Sequence, residues 1–376
     1  MKKLLVGVCC VMMAQMAEVK SQERARDFGF EFGVIPPGPL NAITDVVGVK
    51  VGQVTLLEGE SIRTGVTAIL PHDGNIFRQK VPAAVYVGNG FGKLAGSTQI
   101  QELGNLESPI VLTNTLSVAA GLDGIIDYVF SFPENSGVQS VNAVVGETND
   151  GGLNDIRGRH VKSHHVLSAI QNASGGPVPE GNVGAGTGTT AFGFKAGIGT
   201  SSRKLPESMG GYTVGVLVQA NFGGVLQIDG LPLGKLLNQY SFRQNLESVD
   251  GSCMIVVATD APVDHRNLER IAKRAMLGLA RTGGIASNGS GDYVIAFSVH
   301  EGMRIPFDRR EYLTEGPLPL LNDEVSGLFL ATIEATEEAI ANALFAADDM
   351  KGKGGREMKA LPKQMVREFI KTHKPK

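Results

Sequence analysis

The chain of 376 residues contains no tryptophan, only three cysteines and no marked excess of either charge. Each scarcity excludes something. The formal net charge is −3 and no long acidic run occurs, so neither a nucleic-acid footprint nor a solvating tail is expected. A basic stretch over residues 351–376 reads as a solvated C-terminal helix and tail. Two of the cysteines, Cys9 and Cys10, lie in a segment with the marks of a secretory leader. Lys2 and Lys3 precede an apolar run over residues 4–14, and small residues follow at Ala14 and Ala17. That run is too short to span a bilayer comfortably. Removal near Ala17 leaves residues 18–376 as a single folded domain, exported to the periplasm or the medium. Cys253 is then the sole cysteine, so no intramolecular disulfide is possible. It sits in an apolar run, 253–257, and reads as a small core residue rather than a nucleophile.

What is present describes a folded α/β chain. Hydrophobic residues make up 42% and charged residues 19%, which fits a packed protein rather than a disordered one. Glycine, at 49 residues, exceeds average usage and shows no three-residue period. Tight turns and close backbone approaches account for it. Strands are predicted over 49–56, 83–87, 110–112, 143–146, 213–219, 253–258 and 293–299. Helices are predicted over 92–103, 118–128, 267–279 and 324–347. In the third helix Leu268, Ile271, Ala272, Ala275, Met276 and Leu279 recur at helical spacing, and Gly283-Gly284 supplies the stop. Residues 223–251 read as a projecting loop or hairpin. The alternation of strands and helices points to a multilayer α/β domain.

Several familiar chemistries are missing. His300-Glu301 has no second histidine at zincin spacing, and His160, His164 and His165 read as surface or loop residues. The run Gly88-Asn89-Gly90-Phe91-Gly92-Lys93 is not a phosphate loop, because Val87 and Leu94 stand where Gly and Ser/Thr are required. Gly184-Ala185-Gly186-Thr187-Gly188 reads as a close backbone turn. A nucleophile elbow at Ser290 needs glycines at positions occupied by Asn288 and Asp292. No metal or other cofactor is implied.

One constellation remains. Ser290 follows Gly289 at the entrance to an apolar strand. A hydroxyl directly after a glycine suits an N-terminal nucleophile, since glycine tolerates a strained scissile peptide. The Ser290 hydroxyl can attack the Gly289 carbonyl, take the acyl group from nitrogen to oxygen, and lose it to water. The freed α-amine has an ordinary pKa of about 7.7–8.0, near ambient pH, where a general base works best. One residue then supplies both nucleophile and base.

Joined to blocks elsewhere, this segment resembles the DmpA-type aminopeptidases, which include the β-aminopeptidases and the L-aminopeptidase/D-esterases. The blocks are residues 38–49, 63–67, 146–155, 181–188, 218–223 (Val-Gln-Ala-Asn-Phe-Gly), 258–262, the Ser290 segment and 334–339 (Glu-Ala-Thr-Glu-Glu-Ala). Their order spans nearly the whole mature chain. The resemblance implies an α/β four-layer αββα sandwich, like N-terminal-nucleophile hydrolases but differently connected. It implies cleavage between Gly289 and Ser290 into an α-chain and a β-chain, and a homotetramer of such pairs. The implied substrates are short peptides or amino-acid amides and esters. Ser290 matches the nucleophile and Asn221 the oxyanion-hole asparagine. Thr336 and Glu338 match a hydroxyl and a carboxylate that contact the nucleophile, and Glu338 also matches a group for the substrate's ammonium. Thr336 and Glu338 lie about 200° apart on an ideal helix, so Glu337 competes with Glu338 for that role. Asn149 stands where some relatives carry an aromatic residue that shapes the pocket, which makes it a substrate-binding residue and leaves the choice among L-, D- and β-amino acids open. An acyltransferase on the same scaffold, like the ornithine acetyltransferases, is the competing reading, though those use threonine. A non-catalytic periplasmic binding protein is another, and it requires an uncut chain.

Overall fold

The computed structural model describes residues 22–243, 251–308 and 317–373, so the predicted leader lies outside the described residues. In chain order, β1 (Lys50–Glu58) and β2 (Ile62–Leu70) form a hairpin and the long β3 (Gln79–Gly90) follows. The short β4 (Leu94–Ala95), α1 (Ser97–Leu103) and β5 (Asn105–Leu106) lead to β6 (Ile110–Asn114), α2 (Val118–Phe130), β7 (Val144–Thr148) and α3 (Ser163–Gln171). A small hairpin, β8 (Thr190–Ala191) and β9 (Phe194–Lys195), precedes β10 (Ile198–Lys204) and β11 (Thr213–Asn221). Then come α4 (Leu233–Leu236), β12 (Gly251–Thr259), α5 (His265–Arg281), β13 (Ser290–Ser298), β14 (Ile305–Pro306), α6 (Ser326–Phe345) and α7 (Lys363–His373).

These strands form two large sheets. One has the order β1-β2-β6-β7-β4, the other β10-β11-β12-β13-β3-β14 with β5 also on β3. Each sheet contains one parallel pair, β6 with β7 and β12 with β13. Parallel neighbours need a crossover connection, and α2 and α5 provide it. Helices α2 and α3 pack on the first sheet, α5 and α6 on the second. The architecture is therefore the four-layer αββα sandwich that was expected.

Three apolar layers hold it together. Between the sheets, Ile69, Ile110 and Leu112 meet Leu217, Met254 and Phe297. Val111, Val145 and Ile125 fill the space under α2 and α3. Ile255, Val257 and Val294 meet Ile271, Ala275 and Ile340 under α5 and α6. Strands β12 and β13 thus face apolar side chains on both sides, which explains their near-continuous hydrophobic sequences. Helix α5 begins where Asp264 accepts the Asn267 N–H at 2.8 Å, and ends before Gly283 at φ +86°.

The structure corrects the reading of several segments. The sequence pattern marks β2 only as a block at 63–67 and shows no strand at β10. Thr200, Ser201, Ser202 and Arg203 of β10 are buried despite their polarity, because each finds partners inside the protein. His164 and His165 lie on α3 at the surface, as expected, the first exposed and the second half-buried. Residues 223–243 do not project, since Leu226, Ile228, Leu231 and Leu233 are buried in the layer under α5 and α6. The basic C-terminal segment forms α7, which is docked rather than free. Val366 is buried, and Lys363 and Arg367 pair with Glu23. As expected, Cys253 is a buried core residue, and burial pushes its thiol well up. The turn at Gly184–Gly188 is a close approach: a Cβ at Gly186 would lie 2.3 Å from the Ile198 nitrogen.

Helix α6 is buried almost all round, yet it carries Glu334 and Glu338 inward. Both meet Arg203, whose Nε lies 3.2 Å from Glu334 and whose Nη2 lies 2.8 Å from Glu338. Arg26 adds a second guanidinium to Glu338 at 2.6 Å, and Asn41 donates to the same carboxylate at 2.6 Å. Burial alone would raise the Glu338 carboxyl, but Arg26, Arg203 and Asn41 outweigh it and hold its pKa below the ordinary value. Removing one partner of a buried ion cluster leaves an uncompensated charge. Arg203→Ala is expected to destabilise the fold by about 3–5 kcal/mol in urea unfolding at neutral pH. The stabilisation belongs to the ionised Glu338, so it is present above the unfolded-state pKa of about 4.3 and fades as pH falls below it. A loss smaller than about 1 kcal/mol, the scale of an exposed pair, would show that the cluster does not bear on stability.

Candidate active site

The ends of several strands converge at one edge of the sandwich. Strands β12 and β13 start there in parallel, with Gly251 opposite Ser290. Their antiparallel neighbours finish there, placing Asn221 of β11 opposite Ser252 and Gly90 of β3 opposite Gly291. From the other sheet, β7 delivers Glu147. These ends and their loops enclose a cavity of about 540 Å³, lined among others by Gly289, Asn221, Asn149, Glu147, Ser252 and Thr115. That size suits a small-molecule or short-peptide ligand.

Ser290 is the first residue of β13 and is buried. Its Oγ donates to Oδ1 of Asp292 at 2.8 Å, and its N–H donates to the Ser287 carbonyl at 2.8 Å. Asn89 stands beside it. A bulge in β3 at this point leaves Gly88 unpaired between Asn89 and Val87, and such bulges re-aim side chains. The Asn89 amide donates to the carbonyls of Ser287 at 3.0 Å, Asn288 at 3.2 Å and Ser290. One side chain therefore grips both sides of the Gly289–Ser290 bond. In the same loop Ala286 adopts φ +46°, a conformation that costs a residue with a Cβ. Gly291 is required for a different reason. A Cβ there would lie 2.5 Å from the Gly92 Cα, so only glycine lets that backbone pass.

Asp292 was not selected from the sequence. It is buried, and burial pushes its pKa up to about 6, against the opposing hydrogen bond from Ser290 and contact with the Cys253 backbone. A carboxylate in that range, one hydrogen bond from a hydroxyl, can accept its proton near neutral pH. The signal available in the sequence was an acid at the third position of an otherwise apolar strand, where charged side chains are rare.

Asn221 ends β11 and borders the cavity. Its Oδ1 accepts the Thr190 N–H at 3.1 Å, which fixes the orientation of the amide. The Nδ2 donates to the Asn149 carbonyl at 3.1 Å, and an amide carries two such hydrogens. Asn149 also borders the cavity, with its Oδ1 turned back onto the Gly151 N–H at 2.9 Å. Glu147, buried at the end of β7, is the acidic residue among the cavity's lining residues. It accepts the Lys93 N–H at 2.9 Å and the Thr115 hydroxyl. In the sequence it was only one member of a block, although an acid after Ala143-Val144-Val145-Gly146 is the same kind of signal as Asp292.

The helix pair expected beside the nucleophile is elsewhere. The Thr336 hydroxyl donates to the Thr332 carbonyl at 2.7 Å, and its side chain packs against Gly278 of α5. Glu338 points to the opposite side of α6, into the cluster with Arg203 and Arg26. Glu337 faces Arg281 at 3.2 Å. None of the three borders the cavity or bonds to Ser290. The helix is regular, so the angular separation of residues two apart keeps Thr336 and Glu338 on different faces.

The chain matches the model of peptidase family S58 over residues 41–358. It is 40% identical to the β-peptidyl aminopeptidase BapA of Sphingosinicella microcystinivorans, covering 93% of this chain and 92% of that one. Its structure is similar to that of the PH0078 protein of Pyrococcus horikoshii, with a TM-score of 0.86, 46% identity and 93% and 99% of the two chains covered. It is also similar to the L-aminopeptidase D-Ala-esterase/amidase of Ochrobactrum anthropi, described as a prototype serine aminopeptidase and a variant of the Ntn hydrolase fold. There the TM-score is 0.84, the identity 35%, and 93% and 98% of the chains are covered. With that match over most of its length, the chain belongs to peptidase family S58 and is a serine aminopeptidase.

Proposed function

We propose that Ser290 is the nucleophile of this aminopeptidase and becomes the N-terminus of a β-chain by self-cleavage after Gly289. The observation that carries the reading is the buried Ser290–Asp292 hydrogen bond at the head of β13, with Gly289 bordering the cavity. In maturation Asp292 takes the hydroxyl proton and Oγ attacks the Gly289 carbonyl. Asp292 passes that proton to the Ser290 nitrogen, which leaves as an amine, and water then hydrolyses the Gly289 ester on Oγ to free the Gly289 carboxyl. In turnover that amine serves as the base, Ser290 Oγ carries the acyl group, and the Asn221 Nδ2 donates to the developing oxyanion. Glu147 receives the substrate's ammonium group, and Asn149 shapes the adjoining wall. Thr336 and Glu338 have no part in this scheme. Short peptides and amino-acid amides or esters are the substrates, and β-amino-acid amides head the panel to be tested because the BapA relative is named for β-peptides. The leader-like segment 1–17 supports export to the periplasm or the medium, and the family resemblance supports a homotetramer of αβ pairs.

Denaturing mass spectrometry of the purified protein is expected to give two fragments, the second beginning at Ser290. Ser290→Ala is expected to remain one chain and to lack amidase activity; a variant cleaving at the wild-type rate would refute the role given to Ser290. For Asn221→Ala, kcat is expected to fall by about 10²–10³, and an unchanged kcat would remove Asn221 from the oxyanion hole. The Asp292 carboxyl must be ionised to accept the proton. The rate of self-cleavage should therefore rise with pH through about 6 and level off above it. Asp292→Asn is expected to slow cutting by about 10²–10⁴ and to abolish that rise. A variant that keeps the wild-type pH profile would exclude Asp292 as the base.

A further inference from the structure

Among the described residues the cavity is lined by one acid and two cations, Glu147, Lys93 and Arg356. The acid has a place in the proposed chemistry and the cations do not. Lys93 lies beside Glu147, with Nζ 3.9 Å from its carboxylate, so its field is largely matched. Arg356 is different. Among the described residues its guanidinium makes one hydrogen bond, from Nη1 to the Gly152 carbonyl at 3.2 Å, and pairs with no carboxylate. The acids nearest in sequence are engaged, since Glu357 and Asp349 both pair with Lys359. An arginine held by one nitrogen keeps most of its planar fork of donors free, and that fork matches a carboxylate.

Its anchor ties it to the rest of the site. Gly152 closes the loop that begins at Asn149, whose carbonyl receives the Asn221 amide. The same chain segment starts at Glu147 on β7. Residues 147–152 therefore present an anion at one end and hold a cation at the other. The complementary ligand has an ammonium at one end and a carboxylate at the other, which describes a short unblocked peptide.

We propose that Arg356 binds the free C-terminal carboxylate of the substrate, so that short peptides with both termini free are preferred. The proposal rests on the aminopeptidase reading of this cavity and adds its selectivity. A C-terminal amide presents no charge to the guanidinium.

The test compares kcat/KM for a dipeptide and for its C-terminal amide in the processed enzyme. Arg356 is exposed, so the wild type is expected to favour the free acid by about 2–5-fold, the scale of an ion pair at a solvent-accessible site. Arg356→Gln is expected to lose that preference, chiefly through KM for the acid. Arg356→Lys should restore part of it as a point charge. Lys353→Gln, which alters a neighbouring cation paired with Asp155 away from the cavity lining, should keep the wild-type ratio. An unchanged acid-to-amide ratio in Arg356→Gln, with either substrate still cleaved, would overturn the assignment and leave the aminopeptidase intact. A wild type that cleaves neither substrate would overturn both.

Discussion

Everything at the site depends on β13 being pinned along both edges. Strand β12 pairs with it in parallel and β3 antiparallel. A residue at the head of such a strand is held in place, because the backbone is paired on both sides, with the β3 ladder interrupted only by the bulge at Gly88. The Ser290 hydroxyl therefore has one place to be, 2.8 Å from Asp292. The two faces of the strand add to this: one packs under α5 and α6, the other into the space between the sheets. A rigid scaffold that delivers a reactive side chain from a strand end gives better positioning than a loop would.

Two buried carboxylates, Glu338 and Asp292, differ through their surroundings. Glu338 is surrounded by guanidinium groups and is held ionised by them. Asp292 has only a hydroxyl and backbone near it, and burial makes its proton easier to keep. The same carboxyl group thus serves as a fixed anion in one place and can accept a proton near neutral pH in the other. Residue type and spacing alone could not separate these roles. The distinction comes from which strands and helices lie across from each acid.

Much of the architecture was legible as pattern. Strands β12 and β13 announce themselves as apolar runs, and α5 as a 3.6-residue stripe with a cap and a glycine stop. Strand β10 was not legible, because Thr200, Ser201, Ser202 and Arg203 look like a surface loop until Asn41, Asp45 and Glu334 are brought to them from distant parts of the chain. The site divides in the same way. Gly289, Ser290, Asn221 and Asn149 were picked out and do border the cavity or abut it. Asn89, Asp292 and Glu147 carry no such mark: Asn89 and Glu147 meet partners distant in sequence, Ser287 and Lys93, while Asp292, two residues from Ser290, is set apart only by its burial in the fold. Thr336 and Glu338 were chosen as a motif, and the helix that bears them directs one at α5 and the other at Arg203.

The crossover between β12 and β13 has a topological consequence. In the uncut chain α5 and its following loop tie the two parallel strands together, so the central pair of the second sheet assembles within one molecule. A break between Gly289 and Ser290 severs that tie at the strand's first residue, while β13 and α6 stay enclosed by the other fragment. Assembly of the same sheet then needs two molecules to meet, and its yield depends on concentration. The mature protein would thus be set in its fold by its history: made as one chain, kept by a barrier to unfolding, and not readily rebuilt once its parts have separated.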